Sequence, residues 1–216
     1  SGEEVPDLVA DAILLTVGRR PNSSDLGLDT VGVQTDKKGF IEVDGAQRTN
    51  IPNVFAIGDV AGEPMLAHKA SKEGEVAAEI IAGHKSQFDL KAIPAVAFTD
   101  PEIATVGLTR KEAQAAGHKV ATGKFPFAAN GRALSLGDSD GFVRVVIDKE
   151  TEAMLGVEAV GPEVSNLIAE AGLALEMGAV AMDVGWTIHA HPTLSEVVME
   201  AANAALGQAV HAVNRK

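Results

Sequence analysis

Pro192 splits the segment His189-Ala190-His191-Pro192-Thr193-Leu194-Ser195-Glu196 and fixes where a C-terminal helix can begin. In one continuous helix His191 and Glu196 would lie about 140° apart, on different faces. A residue before proline is biased away from the helical region, so His191 is expected to be extended and the helix to start after Pro192. The imidazole can then fold back over the helix start and meet the carboxylate. That is the pairing of a general base with a carboxylate that orients it. A rival reading uses the same residues: Thr193-x-x-Glu196 is a capping-box pattern in which Glu196 bonds back to the N-cap N–H. Both roles can share one carboxylate. His189 is an alternative base. Two histidines two positions apart, with no third ligand at suitable spacing, do not make a zinc site.

The chain has no cysteine among its 216 residues. This excludes structural disulfides, thiolate metal sites and a redox-active Cys pair within it. Thirty acidic residues against eighteen basic ones give a formal charge of -12, which argues against nucleic-acid backbones and anionic membranes as partners. A composition 46% hydrophobic and 22% charged is that of a globular protein of one or two domains. No apolar run approaches the roughly 18–20 residues of a membrane span. The opening Ser1-Gly2-Glu3-Glu4 is acidic, unlike a signal or transit peptide, and its lack of an initiating Met points to processing or truncation. A cytoplasmic location is compatible with these features.

Residues 12–17 (AILLTV) form a continuous apolar run ending at Gly18 and read as a buried strand feeding the turn Arg19-Arg20-Pro21-Asn22. Residues 40–43 are strand-like, and residues 54–57 (VFAI) read as a second buried strand closing on Gly58-Asp59. Residues 66–82 are helical in propensity and end before Gly83, a natural C′ residue. A boundary is expected near residue 92. Beyond it, 95–99 and 103–106 look like strands, and Thr109-Arg110-Lys111-Glu112 opens a short helix with a capping box. Residues 142–147 and 154–160 flank a hairpin turn at 148–151. Pro162 fits the first turn of a helix running to about Met177, and a final helix is expected from beyond Pro192 to about Leu206. The expected fold is an α/β start followed by an α+β domain with an antiparallel sheet and packed helices.

Three stretches outside the His-Pro segment could hold a ligand. Gly58 would let a ligand approach the backbone, and Asp59, at a strand's C-terminal end, could accept hydrogen bonds from sugar-like hydroxyls; the pair could equally be a plain turn. Met65, Leu66, Ala67 and His68 sit at a helix start, where free N–H groups favour negative charge such as that of a reduced flavin. An ordinary amphipathic helix start explains them as well. Thr16, Val17, Gly18 and Arg19 could border a nucleotide, or form a solvated Arg-rich turn. No Gly-x-Gly-x-x-Gly follows a strand, and nothing resembles a P-loop or a serine-nucleophile elbow.

Taken in order, VGRRPN (17–22), TNIPNVFAIGDV (49–60), PMLAHKA (64–70), IPAVAFTDPEIATVGLT (93–109), KFPFAANGRAL (124–134), LGVEAVGP (155–162) and HAHPTLSE (189–196) resemble the C-terminal half of the FAD-dependent pyridine nucleotide-disulfide oxidoreductases. PMLAHKA with HAHPTLSE resembles the dihydrolipoamide-oxidising branch more than glutathione reductase, and the missing C-terminal Cys pair argues against mercuric reductase. The resemblance implies an FAD- and NAD-dependent enzyme acting as a homodimer on the lipoyl domains of 2-oxo acid dehydrogenase complexes. It implies that residues 1–17 finish an NAD domain, 18–92 form a central domain and 93–216 a dimer-interface domain. Gly58, Asp59, Met65, Leu66, Ala67 and His68 would contact FAD, while Thr16, Val17, Gly18 and Arg19 would border NAD. His191, held by Glu196, would take a thiol proton at a site shared with the other subunit. The FAD fingerprint and the Cys-x4-Cys pair of that family are absent from this chain, so it is expected to be inactive alone. Alternatives are a non-catalytic dimerisation module, or a segment of a related flavin disulfide reductase.

Overall fold

A computed structural model describes residues 7–214; residues 1–6, the opening of the expected 1–17 segment, lie outside the described residues. The chain divides into two compact units, Ser1–Phe88 and Asp89–Lys216.

The first unit is held mainly by turns. Its helices are α1 (Leu28–Val31) and α2 (Ala67–Ile81). The expected helix at 66–82 is therefore present, and Gly83 follows it at φ 88°. Val33, Ile41 and Ala56 form a small core, with Leu28, Val43, Ile51 and Val54 packed against it. Side-chain oxygens organise the backbone around that core. Asp36 Oδ1 accepts from the N–H groups of Lys38 and Phe40, and Asp44 Oδ1 from those of Ala46 and Arg48. These are Asx-type turns, in which a short carboxylate satisfies N–H groups that a sheet would otherwise pair.

The two strands expected in this unit do not form. Residues 54–57 contribute only an isolated bridge between Arg48 and Phe55. Residues 12–17 are extended coil, with Ile13 and Leu14 each 88% exposed. A buried strand needs hydrogen-bonding neighbours for its backbone and apolar cover on both faces. The described residues supply neither to the 12–17 run.

The second unit comprises β1 (Ala95–Ala97), β2 (Glu102–Gly107), α3 (Arg110–Ala115), β3 (Val120–Pro126), α4 (Gly131–Leu136), β4 (Phe142–Asp148), β5 (Met154–Gly161), α5 (Val164–Met177), α6 (Ala181–Trp186) and α7 (Glu196–Ala205). The sheet is antiparallel throughout, in the order β1-β2-β5-β4-β3. Alternate residues of the strands point to one face: Ala104 and Val106, Val143 and Val145, Val157 and Ala159 are all buried. That face meets Ile168, Ala171 and Leu175 of α5, and Val197, Val198, Ala201 and Ala202 of α7, in one continuous core. Alternation in the strands and 3.6-residue periodicity in the helices thus close on a single apolar layer.

Local signals placed several boundaries. The Thr109 capping box is made in full: Thr109 Oγ1 accepts from Glu112 N at 3.2 Å, and Glu112 Oε2 accepts from Thr109 N at 2.9 Å. The 148–151 turn is built on Asp148, whose Oδ1 accepts from Glu150 N and Thr151 N. Helix α5 starts later than its proline suggested: Glu163 is the N-cap, so Pro162 lies outside the first turn. Three elements were not legible. Strand β3 contains both Gly123 and Pro126, while α4 and α6 are only six residues long. Gly123 has a spatial reason: a Cβ there would lie 2.1 Å from Ala201 O and from Ala205 N. Helix α7 therefore crosses β3 at backbone contact, which only glycine allows.

Candidate active site

His191 and Glu196 meet. His191 Nδ1 lies 3.0 Å from Glu196 Oε1, and Thr193 N donates to Glu196 Oε2 at 2.8 Å. One carboxylate thus holds the imidazole with one oxygen and the chain entering the helix with the other. The capping box is only half made. Thr193 Oγ1 donates to Ala190 O instead of accepting from Glu196 N, and the helix opens at Glu196 with Ser195 as N-cap. The His191–Pro192 peptide is cis. Asn130, the N-cap of α4, is buried and anchors the same loop by donating from Nδ2 to Thr193 O at 3.0 Å.

Burial alone would raise the Glu196 pKa, but the Thr193 N–H, the His191 hydrogen bond and the charges of His191 and His211 together hold it below the usual carboxylate range. An ionised carboxylate only accepts, so in neutral His191 the proton sits on Nδ1 and the lone pair on Nε2. The His191 side chain is 76% exposed, and Nε2 has no hydrogen-bond partner among the described residues. A fixed imidazole with a free basic nitrogen can take a proton from an incoming S–H or O–H group. His189 differs. Its side chain is 6% exposed, Nδ1 meets Thr187 O and Nε2 meets Glu170 Oε1, each at 2.8 Å. Both nitrogens are engaged, leaving none for a substrate.

In the first unit, Gly58 is buried at φ 73° in a short 3-10 turn containing Asp59, rather than at a strand end. Gly58 N donates to Glu73 Oε2 at 2.7 Å, and Glu73 Oε1 pairs with Lys69 Nζ at 2.7 Å. That ion pair is only 6% and 5% exposed. It ties the Gly58-Asp59 turn to the first two turns of α2. Met65 and Leu66 are half-buried just before α2, while Ala67 and His68 are exposed in its first turn. Asp59 Oδ2 accepts from Arg19 Nη1 at 2.9 Å, and Arg19 Nη2 donates to Met65 O. Arg19 is thus brought to Asp59 and Met65, joining two groups that the sequence kept apart. Thr16, Val17 and Gly18 stay exposed on the 12–17 coil. These residues fit part of a flavin nucleotide: a carboxylate for ribityl hydroxyls and a helix start for the anionic pyrimidine edge.

Lys69 and Glu73 were missed, although a signal existed. They stand four apart on the helix face that buries Val76 and Ala77, and opposite charges on an apolar stripe imply a buried pair. Asn130, Glu200 and His211 gave no such signal.

An antiparallel sheet backed by helices, carrying an imidazole–carboxylate pair at the start of its last helix, defines a class. The chain belongs to the pyridine nucleotide-disulphide oxidoreductases. The family's dimerisation-domain model matches residues 93–202, and a second model of that family matches residues 1–74. Among individual relatives, the chain is 57% identical over 214 residues to the dihydrolipoyl dehydrogenase of Halobacterium salinarum, covering 99% of this chain and 45% of that protein. It is 53% identical over 212 residues to that of Geobacillus stearothermophilus, covering 98% and 45%. The chain therefore spans under half the length of these relatives. Among solved structures, LpdA from Mycobacterium tuberculosis superposes with a TM-score of 0.81 at 32% identity, over 88% of this chain and 42% of that one. The HOCl-induced flavoprotein disulfide reductase RclA of Escherichia coli gives 0.83 at 25% identity, over 89% and 45%.

Proposed function

We propose that this chain is the C-terminal segment of a dihydrolipoyl dehydrogenase, which oxidises dihydrolipoyl groups and reduces NAD through FAD and a redox disulfide. The observation that carries the reading is the His191–Glu196 pair with its free Nε2. His191 removes a proton from a thiol of the substrate, and Glu196 keeps the ring in the tautomer that can do so. Residues 1–17 complete an NAD domain, 18–92 a central domain and 93–216 the dimer-interface domain. Asp59 and residues 65–68 hold part of FAD, and residues 16–19 border NAD. The flavin, when bound, supplies the two-electron chemistry. The substrate is a lipoyl domain of a 2-oxo acid dehydrogenase complex.

The functional unit is a homodimer in which His191 serves the redox centre of the second copy. Large apolar side chains exposed on the second unit support this: Leu173 and Met177 on one face of α5, with Trp186 and Ile188 beyond it. Among the described residues, no helix is long and apolar enough to cross a membrane; a cytoplasmic site of action completes the proposal.

The chain contains no cysteine, so a thiolate formed at His191 has no disulfide to attack within it. The purified chain is expected to show no dihydrolipoamide:NAD turnover. In the full-length protein that contains this segment, His191→Gln is expected to lower dihydrolipoamide oxidation roughly 10²–10⁴-fold, the range of general-base catalysis, with FAD content unchanged. A loss below about tenfold would make His191 a structural residue.

A further inference from the structure

Helix α7 carries a second carboxylate, fully buried, one turn beyond the half-buried Glu196. Glu200 is 2% exposed, and as the i+4 neighbour of Glu196 it shares that face of the helix. Its Oε1 lies 2.6 Å from His211 Nδ1, and its Oε2 accepts from Val210 N at 3.2 Å. The tail that carries His211 is held in place: Ala209 N donates to Asn214 Oδ1 at 2.9 Å, and Asn214 Nδ2 donates back to Ala209 O at 3.0 Å.

His211 therefore repeats the arrangement of His191. Each ring meets an α7 carboxylate through Nδ1, and each Nε2 has no hydrogen-bond partner among the described residues. Both pairs line one cleft of about 110 Å³, together with Asn130 and Phe125. That volume exceeds what a single water requires, so the cleft can hold a short chain of waters. His211 is also the cleft residue that lines a wider, open cavity of about 650 Å³, beside Arg110, Lys124 and Arg144. His191 is itself exposed, but in the homodimer proposed above that exposed side faces the second copy, and the cleft leads from the ring past His211 to the open cavity.

We propose that His211, oriented by Glu200, receives the proton that His191 takes from substrate and passes it to solvent. This rests on the reading of His191 as the thiol base. Oxidising a dithiol to a disulfide removes two electrons and two protons; NAD leaves with both electrons and one proton, and the other proton is released. After His191 Nε2 has taken a thiol proton, it must lose it before acting again. In the relay, the N–H bond on His191 Nε2 breaks and one forms on His211 Nε2 through water in the cleft. No electron moves in this step. The proton then leaves from His211 into the open cavity. Glu196, Glu200, Arg110, Lys124 and Arg144 are the charged groups facing this path.

The test is His211→Gln in the full-length protein, assayed beside His191→Gln. The His211 ring is 70% exposed, and glutamine keeps an N–H donor for the buried Glu200 carboxylate that His211 meets. In weak buffer, His211→Gln is expected to lower turnover about tenfold, with KM and FAD content unchanged, and added imidazole should restore the rate by carrying the proton instead. Full turnover in weak buffer overturns the relay. A loss that imidazole does not restore also overturns it, since that marks a structural role. His191→Gln separates the two readings. If that variant collapses while His211→Gln does not, only the relay fails; if His191→Gln keeps its rate, the thiol-base reading itself has failed.

Discussion

Residues 7–88 and 89–214 both contain apolar runs, yet only the second region turns them into a sheet. In that region β2, β5, β4 and β3 lie side by side, so each inner strand has neighbours for its N–H and C=O groups. Their inward side chains then share one core with α5 and α7. In the first region the most continuous apolar run, 12–17, lies exposed, and order comes from carboxylates: Asp36, Asp44 and the Lys69–Glu73 pair. The contrast shows that apolar side chains alone do not bury a segment. The backbone polar groups that go with them need partners too.

Three perturbations test this contrast. The largest effect is expected in the first region. Lys69→Met leaves the Glu73 carboxylate buried without its cation, which typically costs about 3–5 kcal/mol. Hydrogen exchange of the α2 amides should quicken sharply, and unchanged protection there would show that apolar contacts, not the ion pair, hold this region. Next comes Gly123→Ala in the second region, where the new methyl meets the α7 backbone. Overpacking of this kind costs about 1–3 kcal/mol, read as a lower urea midpoint by circular dichroism. An unshifted midpoint would mean that the sheet–helix layer is looser than its packing implies.

The smallest effect concerns acid. The hydrogen bond to His118, with those from the Glu150 and Thr151 N–H groups, lowers the Asp148 pKa from 3.8 to about 2. A carboxylate depressed on folding contributes stability that is complete above its unfolded pKa and is lost as pH falls through the folded value. Unfolding of the second region should therefore ease between about pH 4 and pH 2. Asp148→Asn should flatten that dependence, and an unchanged acid limb in the variant would remove Asp148 from the account.

Much of the second region was legible because its signals are local. The Thr109 capping box, the hairpin around Asp148 and the alternation of β4 and β5 each depend on residues close in sequence. Strand β3 was hidden because Gly123 weakens strand propensity, and its reason lies in α7, about eighty residues away. Within the site, His191 and Glu196 were legible together since a proline and a helix start constrain five residues. His189 was left open by sequence, and Glu170, nineteen residues distant, decided it. The buried strands expected at 12–17 and 54–57 were misplaced, because hydrophobicity reports a wish for burial and not whether a neighbour exists.

Sequence by itself determined the break at Pro192, the absence of any thiol and the closeness of one imidazole to one acid, since chain connectivity limits how far five residues can separate. Tertiary structure decided which histidine keeps a free nitrogen, that Arg19 reaches Asp59, and that Glu200 and His211 open onto the same cleft as His191. Those outcomes depend on which distant groups packing brings within hydrogen-bond range, and no local pattern carries that information.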